Sequence, residues 1–462
     1  MEKDRIEHDT LGEVEVPKNV YYGAQTVRAL NNFPISGQKP SKQYVIATVT
    51  VKKAACVVNH RLGLIERHKK DAIVRACDEI LGGKFLDQFV VDPYQAGGGT
   101  SHNMNANEVI ANRANEILGA PLGSYKFIHP NDDVNMSQST NDTIPTAIRL
   151  MILSMTPDLL KNVSLLHKSF SKKADEFMKI IKTGRTHMQD ALPVTLGQEF
   201  CAYALALNND LDRIERAAKN LLKLGIGGTG VGTGINTHKE YHDQMVLELS
   251  KLTGLQLKSS GNLFESMQNT ADLLEYSQAC RILAGTVIRI GNDLRLLSSG
   301  PRSGLAEIIL PQAQPGSSIM PGKVNPSVVE MITMVCYQVI GYDQACLLAT
   351  ISGQLELNVY LPLLAYDLRE ETALLTNGLK VFKEKCIDGL QVNEEMCAYW
   401  FERSSGIAAI LNRYLGYEKT AELVKYALLE DISIKEAVLQ KKFLPESTVE
   451  KIFNVKNLTS PV

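Results

Sequence analysis

The clearest pattern along the chain lies between residues 271 and 297. Leu273, Tyr276, Cys280, Leu283, Val287, Ile290, Leu294 and Leu297 recur in steps of three and four. Such a repeat on one uninterrupted segment predicts a long helix in a bundle seam, stopped by Gly300-Pro301. Similar helical texture covers about 41–90, 144–180, 190–224 and 327–390. Strand signals are weak and short. The pattern predicts a mainly α protein centred on a bundle of long helices. A helix that is apolar over much of its surface needs partners on several sides, and self-association supplies them.

Other stretches break this texture. Residues 1 to about 40 are polar and turn-rich. Residues 91–142 are rich in Gly, Asn, Ser and Thr around a short helical segment near 106–118. Residues 298–326 are dense in Ser, Gly and Pro, with Arg302, Glu307 and Lys323 as their only charges. Loops of that kind carry function more often than the scaffold that holds them. From about 396 a small helical domain is expected, with helix starts at Glu418–Ala421 and Ile432–Glu436. The expected division is 1–141, 142–395 and 396–462.

Composition narrows the class. Lys and Arg number 49 against 51 Asp and Glu, a net charge of -2, which argues against a protein built to coat nucleic acid. The 44% hydrophobic content excludes a disordered chain. No window approaches the roughly 20 apolar residues of a membrane span, and the charged start Met1–Arg5 does not resemble a secretory signal. None of the eight cysteines forms a Cys-x-x-Cys pair. Reduced, buried thiols in a cytoplasmic protein are expected, with neither metal nor cofactor.

Three motifs mislead. Gly225–Gly230 matches G-x-G-x-x-G, but the helical Leu221–Leu224 precedes it where a dinucleotide site needs a strand. Gly316–Lys323 has one spacer too many for a phosphate loop, and Val324 stands where Ser or Thr should bind magnesium. His238 and His242 share a helical face, yet no third metal ligand is evident.

Four polar clusters remain: Gly97–Asn105, Asn135–Asp142, Gly184–Asp190 and Gly316–Pro326. Each alone reads as a turn with capping hydroxyls. Together they offer hydroxyls, amides and backbone N–H groups that can surround an anion. Lys323 adds a point charge for a carboxylate, and His187 can bind or protonate a polar leaving group. No G-x-S-x-G elbow or hydrolase triad is apparent. A small dianion suits this polarity.

On these residues the chain resembles the aspartase/fumarase superfamily. Gly316-Ser-Ser-Ile-Met-Pro-Gly-Lys-Val-Asn-Pro326 is similar to its signature. The other clusters follow in the family's order, and the likeness runs from Tyr21–Thr26 to Asn457-Leu458. The resemblance implies a three-domain subunit in a homotetramer, with each active site shared by three subunits. It implies elimination from a succinyl compound to give fumarate, through a doubly negative enediolate formed by loss of a Cβ proton. By the family pattern, Thr100, Ser139, Thr140 and Ser318 hold the carboxylate that takes up this charge. Ser317 is the general base on a closing loop. Thr186, Lys323 and Asn325 hold the other carboxylate. Asn141 and His187 face the leaving group, and Glu330 orients the histidine. Retention of Ser317, Lys323, Asn325 and His187 favours an enzyme over a structural protein recruited from the same fold.

Within the family, Thr100-Ser101, Gln138–Asn141 and Gly353-Gln354-Leu355 are similar to the aspartase branch, which eliminates ammonia from L-aspartate. Pro321-Gly322-Lys323 is the form usual in class II fumarases, which leaves fumarate hydration as the alternative. His102 stands where aspartases usually carry an aliphatic residue; if it lines the site, an amino-acid lyase of altered substrate follows. Tyr360-Leu361 also departs from the branch's usual Met-Glu.

Overall fold

The computed structural model describes residues 4–460, so Met1, Glu2 and Lys3 of the charged N-terminus lie outside the described residues. The chain is mainly helical, as the periodicity predicts. In order come α1 (Ala24–Asn32), α2 (Lys42–Arg61), α3 (Arg67–Leu81), α4 (Thr100–Ile117), α5 (Thr140–Glu176) and α6 (Leu196–Asn220). Then follow α7 (Tyr241–Thr253), α8 (Leu263–Gln268), α9 (Ala271–Leu297), α10 (Ser327–Ile351) and α11 (Leu361–Phe382). Six more helices follow: α12 (Glu394–Arg403), α13 (Asn412–Leu415), α14 (Tyr417–Glu430), α15 (Ile434–Gln440), α16 (Glu446–Ile452) and α17 (Val455–Thr459). Among the described residues, strands pair only in twos. The two larger pairs are antiparallel, β1 (Arg5–Asp9) with β2 (Gly12–Val16) and β3 (Ile181–Thr186) with β4 (Gln189–Thr195).

The 3.5-residue repeat falls on α9, and all eight of its apolar residues are buried. Three expected segments need correction. The expected helix near 106–118 begins at Thr100, because buried amides extend it into a polar run. The expected helical stretch 190–224 opens with β4 and closes with a two-residue strand, Lys223–Leu224, paired in parallel with Lys258–Ser259, so a short strand and not a helix precedes Gly225–Gly230. The stretch 327–390 is broken over 352–360, where Gln354 and Leu357 close a tight turn. Among the described residues no helix is long and apolar enough to cross a membrane. Seven of the eight free thiols are buried; Cys201 is exposed.

The chain divides into two compact units. The first comprises 4–160, 212–282 and 337–375; the second comprises 161–211, 283–336 and 376–460. In the first, Val45, Val49, Ile73, Ile80, Val109 and Ile110 form one hydrophobic cluster of α2, α3 and α4. In the second, Ile407, Leu411, Leu423, Val438, Val449 and Ile452 form a core of the C-terminal helices. There α15 starts with a capping box of Ser433 and Glu436.

Helix α1 shows how polar burial is managed. Its N-cap, Gly23, has no side chain to cap with. Glu108 of α4 does so instead, accepting from Gly23 N at 2.8 Å, Gln25 N at 2.8 Å, Thr26 N at 3.1 Å and Thr26 Oγ1 at 2.6 Å. Burial pushes this carboxyl up to about 7, and the four donors oppose that rise. Glu108→Ala strands these donors and should cost about 2 to 4 kcal/mol, read from the urea unfolding midpoint. Glu108→Gln should recover part of the loss.

Candidate active site

The expected site residues fall into two groups, one in each unit. The first group is Thr100, Ser139, Thr140 and Asn141. Gly98, at φ +73, donates its N–H to Val359 O at 2.7 Å and turns the chain into α4, which begins at Thr100. A Cβ placed on Gly98 would lie 3.7 Å from Leu357, 3.8 Å from Asn141 Oδ1 and 3.9 Å from Thr140 Cγ2. The starts of α4 and α5 therefore adjoin. Each presents the positive end of its dipole, which favours an anion, although the N–H groups of His102, Asn141 and Asp142 are already taken by Gln95 Oε1, Ser139 Oγ and Ser139 O.

The start of α5 is pinned from behind by Asp142. Its buried carboxylate accepts from Ser139 N at 3.0 Å, Gly227 N at 2.9 Å and Thr229 N at 3.0 Å. Burial pushes Asp142 up to about 6, while these donors and Lys52 oppose the rise. Gly227 has φ +98, and a Cβ there would come within 3.0 Å of His242 Cα, so glycine is required. The G-x-G-x-x-G stretch is thus a cradle for Asp142 and not a nucleotide loop. It also positions Asn141, whose Nδ2 donates to Gly230 O at 2.7 Å.

Behind the same cluster lies Lys52, which is fully buried. Its Nζ donates to Asn135 Oδ1 and Gln138 Oε1, both at 2.9 Å. Burial pulls this ammonium down to about 7, against the attraction of Asp142. Sequence reasoning missed Lys52, Asn103, Asn135 and Asp142 as supports. One signal was available: Val45, Val49, Lys52, Cys56 and Asn59 are spaced as one helical face, which places a lysine in an apolar stripe.

His102 faces elsewhere. It is fully buried, its ring stacks on Tyr44 at 4.1 Å, and its backbone N–H donates to Gln95. Thr48 Oγ1 already donates to Tyr44 O at 2.9 Å, so the Nε2–H of His102 donates to Thr48 Oγ1, also at 2.9 Å. Burial, then the charge of Lys52, pulls the imidazole down to about 3.

The second group is Thr186, His187, Ser317, Ser318, Lys323, Asn325 and Glu330. The hairpin of β3 and β4 pairs Thr186 with Gln189, which leaves His187 and Met188 as a two-residue turn. Both have positive φ, +53 and +58, as a type I′ turn requires. Glycine or asparagine is the usual choice there, so strain is accepted to present this exposed imidazole. Arg185 and Lys182 hold the hairpin base through ion pairs to buried Glu307.

Ser317 and Lys323 sit on a loop closed upon itself. Gly316 N donates to Lys323 O at 2.8 Å, and Asn325 Nδ2 donates to Gly316 O at 2.8 Å. Ser317 Oγ accepts from Ile319 N at 3.2 Å and Met320 N at 2.9 Å. Two backbone donors aimed at one hydroxyl oxygen stabilise negative charge on it. Ser318 and Lys323 are exposed, and Glu330 is half-buried in the first turn of α10. Among the described residues, no hydrogen bond or ion pair joins His187 to Glu330.

A Cβ on Gly316 would lie 2.6 Å from Asn325 N and 2.7 Å from Lys323 O. Both are backbone atoms with little room to give. Gly316→Ala should therefore displace Lys323 and Asn325, raising KM about tenfold or more with unchanged circular dichroism.

Among the described residues, no group of three or more His, Cys, Asp or Glu side chains is placed to hold a metal ion. His238 Nδ1 accepts from Glu240 N, while His242 meets Ile226 O and Ser259 Oγ.

This helical fold and its polar loops define a class. A family model described as "Lyase" matches residues 12–341, and one described as "Fumarase C C-terminus" matches 407–460. The chain belongs to the aspartase/fumarase superfamily of lyases. It is 46% identical to an aspartate ammonia-lyase of a Bacillus species, over 99% of this chain and 98% of that protein. It is 43% identical to a class II fumarate hydratase of Helicobacter pylori, over 99% of each. Among solved structures, it is similar to a fumarate lyase:delta crystallin from Brucella melitensis bound to cobalt. That match has a TM-score of 0.96 and 45% identity, and covers 99% of this chain and 100% of that one.

Proposed function

We propose that the protein eliminates ammonia from L-aspartate, reversibly, to give fumarate. The observation that carries the elimination chemistry is the Ser317 loop, where two backbone N–H groups point at the hydroxyl oxygen that must act as base. In this reading Ser317 removes the Cβ proton and the neighbouring carboxylate takes up the charge. Thr100, Ser139, Thr140 and Ser318 hold that carboxylate with hydroxyl and backbone donors, and stabilise the enediolate more than the substrate. Thr186, Lys323 and Asn325 hold the second carboxylate. His187 and Asn141 receive the leaving ammonia, and Glu330 orients the histidine.

Three residues support aspartate over malate: Ser101, Thr140 and Gln354. Gln354 opens the turn that sets Leu357 beside Gly98. The packing of His102 against α2 supports an unaltered substrate. Fumarate hydration is the second reading, supported by Pro321-Gly322-Lys323 and by fumarate hydratases of near-equal identity.

The reading includes a three-domain subunit in a homotetramer whose sites each draw on three copies. It is supported by α10, which leaves Met334, Tyr337, Leu348 and Ile351 exposed in a single chain. It also accounts for His187 and Glu330 lacking each other as partners within one copy.

The test runs the reaction backwards. Fumarate with an ammonium salt should yield aspartate, detected chromatographically. Formation of malate alone, with no aspartate, would favour the hydratase reading.

A further inference from the structure

We propose that Lys52, Asn135 and Asn103 form a directional hydrogen-bond chain that fixes the Thr140 hydroxyl as a donor toward an anionic ligand. The three are positioning residues; none touches the ligand. The proposal rests on the reading of Thr140 as a carboxylate contact.

The direction follows from donor and acceptor chemistry. The charged form of Lys52 has only protons to offer, and the Asn135 Nδ2 is already committed to Gln138 O at 3.3 Å. Lys52 Nζ lies 2.9 Å from the Asn135 side chain, so Asn135 must present its oxygen. That oxygen also lies 3.2 Å from the Asn103 side-chain amide, which must therefore present its NH2. The second N–H of this group meets Thr140 Oγ1 at 3.1 Å. Thr140 Oγ1 is thus an acceptor from behind. Its single proton has no acceptor among the described residues and is left for a group in front. Asn107 Nδ2 donates to the same Asn135 oxygen at 3.2 Å and reinforces the orientation. Gln138 takes another Lys52 proton, with its own amide donating to Val134 O and Met136 O.

Burial gives the chain its force. Lys52 and Asn103 are buried, so no bulk water competes for these groups. With Lys52 replaced by an apolar side chain, the charge that holds Asn135 oxygen-inward is gone, and only Asn107 Nδ2 on its oxygen at 3.2 Å and its own Nδ2 on Gln138 O at 3.3 Å oppose a turn. Asn103 is then able to turn over, present its oxygen to Thr140 and take the hydroxyl proton. A carboxylate would meet a lone pair where it had met a donor.

The test uses succinate, a saturated dicarboxylate that cannot undergo the elimination, with binding followed by calorimetry on the full-length protein. Thr140→Val, Lys52→Met and Asn103→Leu are each expected to weaken binding about tenfold or more. Lys52→Met/Thr140→Val and Asn103→Leu/Thr140→Val should bind no more weakly than Thr140→Val alone, because each pair breaks one chain. A lysine serving stability alone would not show that non-additivity. Additive losses, or binding by Lys52→Met and Asn103→Leu within about twofold of wild type, overturn the proposal. Should Lys52→Met not fold, Asn103→Leu and its double carry the decision, since Lys52 keeps its two partners there. No succinate binding by wild type, or unchanged binding by Thr140→Val, overturns the carboxylate reading and the chain with it. Weakening by Thr140→Val alone removes the chain and leaves that reading standing.

Discussion

Ser317→Ala is expected to lower kcat about 10³-fold or more, the usual worth of a positioned general base, and to leave the oligomer unchanged. The reason is local. Loop closure runs through Gly316 N to Lys323 O and through Asn325 Nδ2 to Gly316 O, with no use of the Ser317 side chain. Alanine removes the oxygen that the N–H groups of Ile319 and Met320 address, and those groups lie on an exposed loop where water can serve them. Substrate affinity should therefore change little while turnover collapses. Steady-state kinetics with size-exclusion chromatography measures both. A variant with near-normal kcat would remove Ser317 as the base, and a variant of altered size would assign the loop a part in assembly.

The second large effect concerns stability in acid. His102 is neutral in the folded protein because burial holds its imidazole down at about 3, against an ordinary value of 6.5. Below pH 6.5 the unfolded chain takes up a proton at this residue and the folded protein does not. Stability is therefore lost as pH falls from 6.5 toward 3, by at most about 1.4 kcal/mol per pH unit, or about 4 to 5 kcal/mol over the whole window. Above pH 6.5 the residue contributes no slope. His102→Leu should remove this share of the acid limb. Between pH 7.5 and 5, wild type should lose about 2 kcal/mol more than the variant, read from urea unfolding at each pH. Parallel curves would mean that His102 is protonated in the folded protein.

Much of the scaffold was legible because its signal is periodic. The repeat from Leu273 to Leu297 marks α9 and its buried face together. The hairpin of β3 and β4 was hidden for three physical reasons. Lys182, Thr183 and Gly184 are buried in succession, so alternation is absent. A register shift between Thr183 and Arg185 breaks the period further. His187-Met188 also lacks the glycine or asparagine that announces such a turn. The polar start of α4 read as loop because its amides find partners only in the fold, where Asn103 meets Asn135 and Thr140.

The candidate residues were legible for a different reason. Their clusters are dense in short polar side chains on an otherwise apolar helical framework, and the signature loop is long. Their supports were not legible, because the partners are distant in sequence. Asp142 meets Gly227 and Thr229 across more than eighty residues, and Lys52 meets Asn135 and Gln138 across a similar span. Neither pairing leaves a local pattern.

The most direct test of ammonia elimination follows fumarate by its ultraviolet absorbance, with L-aspartate and L-malate supplied separately under identical conditions. Fumarate from aspartate and none from malate is the expected result. Fumarate from malate alone would contradict it and reverse the weight given to Ser101, Thr140 and Gln354.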